Sequence, residues 1–313
     1  MIILGSNNEK KLTDKTYIAL GNFDGLHKGH MTLINRVVDE ALLNDCKSLV
    51  YTFSNHPLTV AAPDRTPKLI MDNEQKLHIL RTAGVDIVAM IDFTYEYMQT
   101  SAEDFIDILL DRYNAQGLVV GFNYKYGYKN EGNVEMLKEM AKDKGFELII
   151  IEPETDEEGL ISSTRIRRHI ENGHISEANK LLVEPFVLKG HVVGGRNKGK
   201  QIGFPTANMS LDDKLILPKE GVYYTNLELD GILHRSITSV GDNPTIADDN
   251  AVTVETYILD FDRDIYGEEI KVYFLEWMRE MIKFNSMEEL KEQMRKDNNY
   301  AATRKIVNLR SEK

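Results

Sequence analysis

A chain of 313 residues with 42% hydrophobic and 28% charged side chains is too long for one hydrophobic core and has a globular composition, so two domains are expected, not a disordered or membrane-embedded chain. Its formal net charge of -12 argues against broad nucleic-acid binding, which needs clustered Lys and Arg, and leaves room for small anions gripped by local positive potential. No segment approaches the ~20 apolar residues of a membrane span, the start at Met1 is too short an apolar run for an export signal, and the lone Cys46, read as a small hydrophobe in a helix, fits a reducing cytoplasm.

Short apolar runs at residues 16–21, 48–53, 86–92, 117–121 and 146–151 read as buried strands. Between them, residues 29–44, 73–83, 102–113 and 134–144 carry apolar side chains at three- and four-residue spacing, as amphipathic helices do. Strand and helix alternate, which predicts an α/β domain with a mainly parallel sheet and a ligand site beyond the carboxyl ends of its strands. Two short helices, 162–172 and 174–182, are parted by Gly173. From Phe186 onward the pattern changes to strands at 186–193, 221–229, 232–240, 252–259 and 270–277, punctuated by Gly, Asn and Asp, as in an antiparallel barrel or sandwich. Helical periodicity returns at 286–296, where Ser286 and Glu289 form a capping-box pattern. The domain boundary is expected near Glu184-Pro185, giving domains 1–184 and 185–313.

The first strand delivers the backbone to Gly21-Asn22-Phe23-Asp24-Gly25-Leu26-His27-Lys28-Gly29-His30. Gly25 and Gly29 permit close backbone approach, the helix start offers free N–H groups to a phosphate, and His27 and His30 can aim ring donors into the same space. Such donors stabilise charge that grows at a phosphorus centre. Zinc is not expected here, because neither a Cys cluster nor His-Glu-x-x-His accompanies the pair.

This run resembles the His-x-Gly-His signature of the nucleotidyltransferase superfamily, and its Asn-Phe-Asp-Gly opening is similar to prokaryotic FAD synthetases. The stretch Ile161-Ser162-Ser163-Thr164-Arg165-Ile166-Arg167 resembles that family's second phosphate motif, with hydroxyls to cap the helix and forked arginine donors. Gly121 to Gly127 resembles its flavin-side loop, with Asn123 at the Asn or Asp position, and Thr52 to Pro57 resembles its Thr-Phe-x-Pro-His-Pro stretch, with Asn55 in place of proline. Tyr124, Tyr126 and Tyr128 serve equally well as packing residues, and no stacking role is assigned to them.

In the second half, Gly194 to Lys200 spells the outline of a P-loop. Gln201 stands where Ser or Thr is needed, however, and Gly203 and Pro205 interrupt the helix that would follow. Residues 199–208 instead resemble the riboflavin kinase signature Gly-Arg-x-x-Gly-Phe-Pro-Thr-Ala-Asn, with Lys200 for Arg. Thr206 and Asn208 offer hard oxygen ligands suited to Mg2+ beside nucleotide phosphates. Segments starting at Pro218, Val240 and Val254 resemble the same family in order, and Glu255 is a carboxylate in an otherwise apolar strand, where burial would raise its pKa and suit it to accept a hydroxyl proton.

The resemblance spans nearly the whole chain. It implies a doubly wound N-terminal sheet of nucleotidyltransferase type, a C-terminal barrel with a terminal helix, and a bifunctional enzyme that phosphorylates riboflavin to FMN and adenylylates FMN to FAD. Implied roles are catalysis by His27, His30 and Glu255; ATP or phosphate binding by Gly21, Phe23, Asp24, Gly29, Ser163, Thr164, Arg165, Arg167, Lys200 and Gly203; flavin binding by Asn123; and Mg2+ binding by Thr206 and Asn208. ATP, riboflavin, FMN and FAD are the expected ligands, with no nucleic-acid or membrane partner, and weak self-association is compatible with this reading. The rivals are a nucleotidyltransferase for another phosphorylated substrate and a flavin-binding regulator without catalysis.

Overall fold

The computed structural model describes residues 1–8, 10–194, 204–242 and 252–307. The chain divides into two units, Met1–Ser163 and Thr164–Lys313.

The first unit is built on a six-stranded sheet ordered β1-β4-β3-β2-β5-β6, every neighbouring pair parallel. Its strands are β1 (Ile2–Leu4), β2 (Thr16–Leu20), β3 (Lys47–Phe53), β4 (Ile87–Ile91), β5 (Ala115–Gly121) and β6 (Glu147–Ile151). Strand alternation sends side chains to two separate cores. Ile18, Leu20, Leu49, Leu118 and Val120 pack with α5 (Ala102–Tyr113) and α6 (Val134–Lys144), while Tyr17, Ala19, Val50, Val88 and Val119 pack with α1 (Lys28–Leu43) and α3 (Asn73–Thr82). A sheet covered on both faces accounts for the near-continuous apolar strands. Two short helices, α2 (Leu58–Ala61) and α4 (Tyr95–Met98), and a small hairpin, β7 (Thr155–Asp156) with β8 (Gly159–Leu160), complete the unit. Strand order reverses at β2, whose neighbours are β3 and β5, so the crevice expected for ligands lies past Leu20 and Gly121.

Local chemistry sets the helix ends. Ser101 and Asn133 cap α5 and α6 by accepting from Asp104 and Met136 N–H groups, and left-handed Asn114 and Gly145 stop them. Cys46 lies outside any helix, in the turn between α1 and β3, because α1 has already ended at Leu43.

The second unit opens with α7 (Ser163–Glu171), whose first residue still belongs to the first unit, and α8 (Ile175–Leu181). A closed antiparallel barrel follows, ordered β10-β13-β12-β11-β14-β9. Its strands are β9 (Val187–Val193), β10 (Thr206–Met209), β11 (Gly221–Leu229), β12 (Ile232–Asp242), β13 (Val252–Ile258) and β14 (Glu269–Arg279). Closure removes the exposed edges that an open sheet would leave. Helix α8 is stitched to the barrel by Asn179, which donates to the Phe274 carbonyl and accepts from the Phe186 N–H, both at 2.8 Å. That packing is why the first unit ends at Ser163 and not at Glu184. The C-terminal helix α9 (Met287–Ala302) runs six residues past the periodicity read from sequence, and Ser286 caps it through the Glu289 N–H.

Candidate active sites

Past β2 the backbone turns sharply. Phe23 and Leu26, neither a glycine, hold φ of 50° and 31°, and Gly25 has φ of 83°. Non-glycine residues in the left-handed region store about 1–3 kcal/mol each and gather at functional sites. The Phe23 ring fills the space beside Gly21, where a Cβ would sit 2.9 Å from its Cζ, and meets His30 edge-on at 5.3 Å. Asp24 is buried, and its carboxylate accepts from the Ile70 N–H at 3.0 and 3.3 Å. The side chains of Phe23 and Asp24 therefore build the turn from inside. The Ser163 hydroxyl braces the same turn, donating to the Asp24 carbonyl at 2.8 Å.

His27 is the N-cap of α1, its Nδ1 accepting from the His30 N–H at 3.3 Å. An acceptor at Nδ1 puts the neutral ring's proton on Nε2. The two imidazoles stack, centroids 3.7 Å apart. Burial pushes His27 down to about 4, and burial, followed by the charges of His27 and Lys76, holds His30 well below its ordinary value. Both rings are neutral at pH 7 and offer N–H dipoles, not full charges. His30 Nδ1 is shielded and meets no hydrogen-bond partner among the described residues.

A cavity of about 590 Å³ opens at the strand ends. Gly21 and Asn22 line it from the β2 side, and residues 123–130 line it from the β5 side. Tyr51, Phe53, Tyr97, Phe105, Tyr124 and Tyr126 give it an aromatic wall, in which the Tyr51 and Tyr97 hydroxyls meet at 2.9 Å and Tyr124 and Tyr126 stack at 5.7 Å. Asn123 lines the mouth. Asn55, the departure from the proline pattern, ties two loops of this region by donating to the Phe93 carbonyl and accepting from its N–H.

In the second unit Asn208 lies directly opposite Glu255 in the β10–β13 ladder, and Thr206 opposite Tyr257. Ala207, Met209, Val254 and Thr256 are buried, whereas Thr206, Asn208 and Glu255 share the half-buried opposite face. Thr206 Oγ1 reaches Glu255 Oε2 at 3.5 Å, long for a hydrogen bond. Glu255 thus lies outside the barrel core, correcting the burial expected from its apolar neighbours: the two-residue alternation turns it away from them. A hydroxyl, an amide oxygen and a carboxylate on one face form the hard donor set that Mg2+ takes when phosphate and water complete its shell. Among the described residues no cluster of three or more His, Cys, Asp or Glu forms a metal cage.

Thr164, Arg165 and Arg167 belong to the second unit, on α7, with Thr164 exposed, Arg165 buried and Arg167 half-buried. Lys200 and Gly203, and the 243–245 part of the segment starting at Val240, lie outside the described residues. Two features are not legible in the sequence: the aromatic wall, gathered from β3, α4, α5 and the segment after β5, and Lys76, a buried lysine on α3.

Comparison with known proteins matches each half of the chain to a family. Residues 9–165 match the FAD synthetase family model and residues 182–305 match the riboflavin kinase model. A bifunctional riboflavin kinase/FMN adenylyltransferase from Listeria monocytogenes is 39% identical over 90% of this chain and 89% of its own. The protein of the same name from Bacillus subtilis is 33% identical over 95% and 94%, and that from Escherichia coli 31% over 90% and 90%. A crystal structure described as a macrolide-efflux protein from Streptococcus pneumoniae has a TM-score of 0.90 and 33% identity, covering 97% of this chain and 100% of that one. Among the described residues no helix is long and apolar enough to cross a membrane.

Proposed function

We propose, from the premise that the chain belongs to the bifunctional riboflavin kinase/FMN adenylyltransferase family, that the two constellations described above are its two catalytic sites. The chain phosphorylates riboflavin to FMN in its C-terminal part and adenylylates FMN to FAD in its N-terminal part. The efflux named for the streptococcal structure is not carried over, since both family models and the curated relatives name flavin chemistry. The catalytic division is put at 184/185, after the synthetase match ends at residue 165 and just inside the kinase match that begins at 182.

The observation that carries the N-terminal assignment is the aromatic cavity at the switch point of the sheet, with paired histidines on the helix that follows β2. Its aromatic wall suits a planar isoalloxazine ring, and Asn123 at the mouth offers amide hydrogen bonds to the flavin. FMN's phosphate oxygen attacks the α-phosphorus of ATP, the bond to the bridging oxygen breaks, and pyrophosphate leaves. His27 Nε2–H donates to charge growing on the α-phosphoryl oxygens, and His30 supplies the neighbouring donor. Gly21 and Gly29 let the phosphates approach the backbone, while Phe23 and Asp24 contribute by holding the turn. Phosphate-gripping roles for Thr164, Arg165, Arg167, Lys200 and Gly203 rest on the family resemblance alone.

At the barrel, Glu255 takes the proton of riboflavin's 5'-hydroxyl as that oxygen attacks the γ-phosphorus of ATP and ADP leaves. Thr206 Oγ1 and Asn208 Oδ1 would hold Mg2+, which neutralises phosphate charge when bound. A threonine oxygen can ligate a cation while its proton still points at Glu255, so one hydroxyl can orient both groups. Cytoplasmic location is part of this reading, supported by the lone cysteine.

The test is a product assay with riboflavin, ATP and Mg2+, following FMN and FAD by chromatography. His30→Ala stops at FMN, and Glu255→Ala forms FAD only when FMN is supplied. A His30→Ala chain that makes FAD at the wild-type rate overturns the N-terminal assignment. A regulator without catalysis makes neither product.

A further inference from the structure

One strongly buried charge belongs to none of these roles. Lys76, on α3, is 5% exposed. Its ammonium donates to the Asn22 carbonyl at 3.1 Å and the Phe53 carbonyl at 3.3 Å. Asn22 follows β2 and Phe53 ends β3, and both line the cavity. Thr52 also donates to the Asn22 carbonyl, at 3.0 Å, so this oxygen joins β2, β3 and α3.

An ammonium has three N–H donors, and two carbonyls leave its charge uncompensated. The acid acting on it is Asp24, whose charge favours the ammonium, and the Asp24 carboxylate also accepts from the Ile70 N–H. Burying a cation in this way is unfavourable unless another element of the working enzyme offsets it. If the strand ends only needed tying, a neutral donor would do so more cheaply. The feature that calls for positive charge is an anion docked on the turn in front of the lysine, and the field of Lys76 already reaches His30 there.

We propose that Lys76 is a positioning residue of the adenylyl-transfer site, clamping the ends of β2 and β3 through Asn22 and Phe53 and holding a fixed positive charge behind the turn where ATP phosphates dock. The inference rests on the assignment of His27 and His30 to ATP. It makes the lysine part of substrate recognition without contact: its charge lowers the energy of the bound polyphosphate, and its two hydrogen bonds hold the carbonyls away from the incoming anion.

Lys76→Met keeps most of the volume and removes the charge, and Lys76→Arg keeps the charge. With FMN as acceptor, Lys76→Met is expected to raise the KM for ATP about ten- to a hundredfold, the range over which outer-shell partners usually act, with a smaller change in kcat. Burial, opposed in part by Asp24, pushes the ammonium down to about 8. The wild-type kcat/KM for ATP, which reports the free enzyme, should therefore fall as pH rises through about 8, and Lys76→Arg should abolish that fall because a guanidinium stays charged. Among the described residues the titratable groups coupled to the lysine are Asp24 and His30, and His30 is already neutral across this range. FMN formation by the same chain controls for the titration of ATP itself.

A wild-type profile that is flat through this range, or a Lys76→Met chain with the wild-type KM, overturns the proposal. If Lys76→Met does not fold, the wild-type profile and that of Lys76→Arg decide. His30→Ala run in parallel separates the two failures. An active His30→Ala sinks the underlying assignment, whereas an inactive one beside a normal Lys76→Met sinks only the role given to the lysine.

Discussion

His27 and His30 lie face to face, centroids 3.7 Å apart and planes inclined by 17°, and two protonated imidazoles cannot share that geometry. Each ring is held neutral, by burial first and, for His30, by its neighbour's charge second. A neutral pair can receive a polyphosphate without first giving up bound anions, and the phosphate charge then strengthens its N–H donors. Preorganisation of this kind, set before substrate arrives, is how oriented dipoles contribute to phosphoryl chemistry.

The same burial links stability to pH. His27 has a folded-state value of about 4 against an ordinary 6.5, so between these values the unfolded chain binds a proton that the folded chain refuses. The stabilisation is complete above 6.5 and is lost as pH falls toward 4. It amounts to roughly 3 kcal/mol for His27 alone at the usual ~1.4 kcal/mol per unit. His27→Asn keeps an N-cap acceptor for the His30 N–H but does not titrate, so calorimetry should show a shallower decline for the variant over this range. Equal declines would rule out His27 as the source.

Asp24 separates a bracing role from a ligand role. Its carboxylate serves the buried Ile70 N–H, and Asp24→Ala would leave that donor unsatisfied at about 1–3 kcal/mol. Asp24→Asn retains an acceptor oxygen and should preserve both most of the stability and FAD formation. Loss of FAD formation in a fully stable Asp24→Asn chain would point to direct contact with ATP or its metal.

Much of this was legible in the sequence, and the exceptions share a cause. Apolar spacing alone marks helices 102–113 and 134–144 to the residue, and the structure ends them chemically, with Ser101 and Asn133 as caps and left-handed Asn114 and Gly145 as stops. Strand β1 is not legible: Ile2–Leu4 is three residues long, lies at a sheet edge, and gains its partner only when Ile87–Ala89 arrives. Strand β10 was likewise hidden within Thr206–Met209, where polar and apolar residues alternate too briefly to register. In a linear reading Lys76 looks like one more polar position on an amphipathic helix. Its burial is set by the Asn22 and Phe53 carbonyls, which come from other elements. Glu255 shows the converse, since its apolar neighbours suggested burial and the two-residue strand period placed it outside.

At the barrel, the shared face of Thr206, Asn208 and Glu255 predicts a selective defect. Thr206→Val removes one candidate Mg2+ ligand together with the hydroxyl aimed at Glu255. The Mg2+ concentration needed for half-maximal FMN formation should rise about tenfold or more, while conversion of supplied FMN to FAD keeps its wild-type Mg2+ dependence. A parallel rise in both steps would show that the change acts on something other than the barrel site.

The last prediction concerns how the C-terminal helix is held. Arg279 on β14 forks onto Asp297 of α9, Nη2 to Oδ2 at 2.7 Å and Nε to both oxygens at 3.1 and 3.2 Å, and Gln293 donates to Asp297 Oδ1 at 2.9 Å. Asp297 is 6% exposed and the Arg279 side chain 19%, so the carboxylate is buried and its partner partly so, and removing the arginine alone is worse than removing both. Arg279→Met alone leaves a buried carboxylate uncompensated and should destabilise by about 3–5 kcal/mol, whereas Arg279→Met with Asp297→Leu should recover most of that loss. Trp277, the only tryptophan in the chain, lies two residues from Arg279 and reports the transition by fluorescence. Because β14 pairs with β11 and β9 and not with β10 or β13, which carry Thr206, Asn208 and Glu255, the folded fraction of each variant should retain the wild-type KM for riboflavin. Additive losses in the double variant would mean that the two side chains act independently and that the fork does not hold α9 to the barrel.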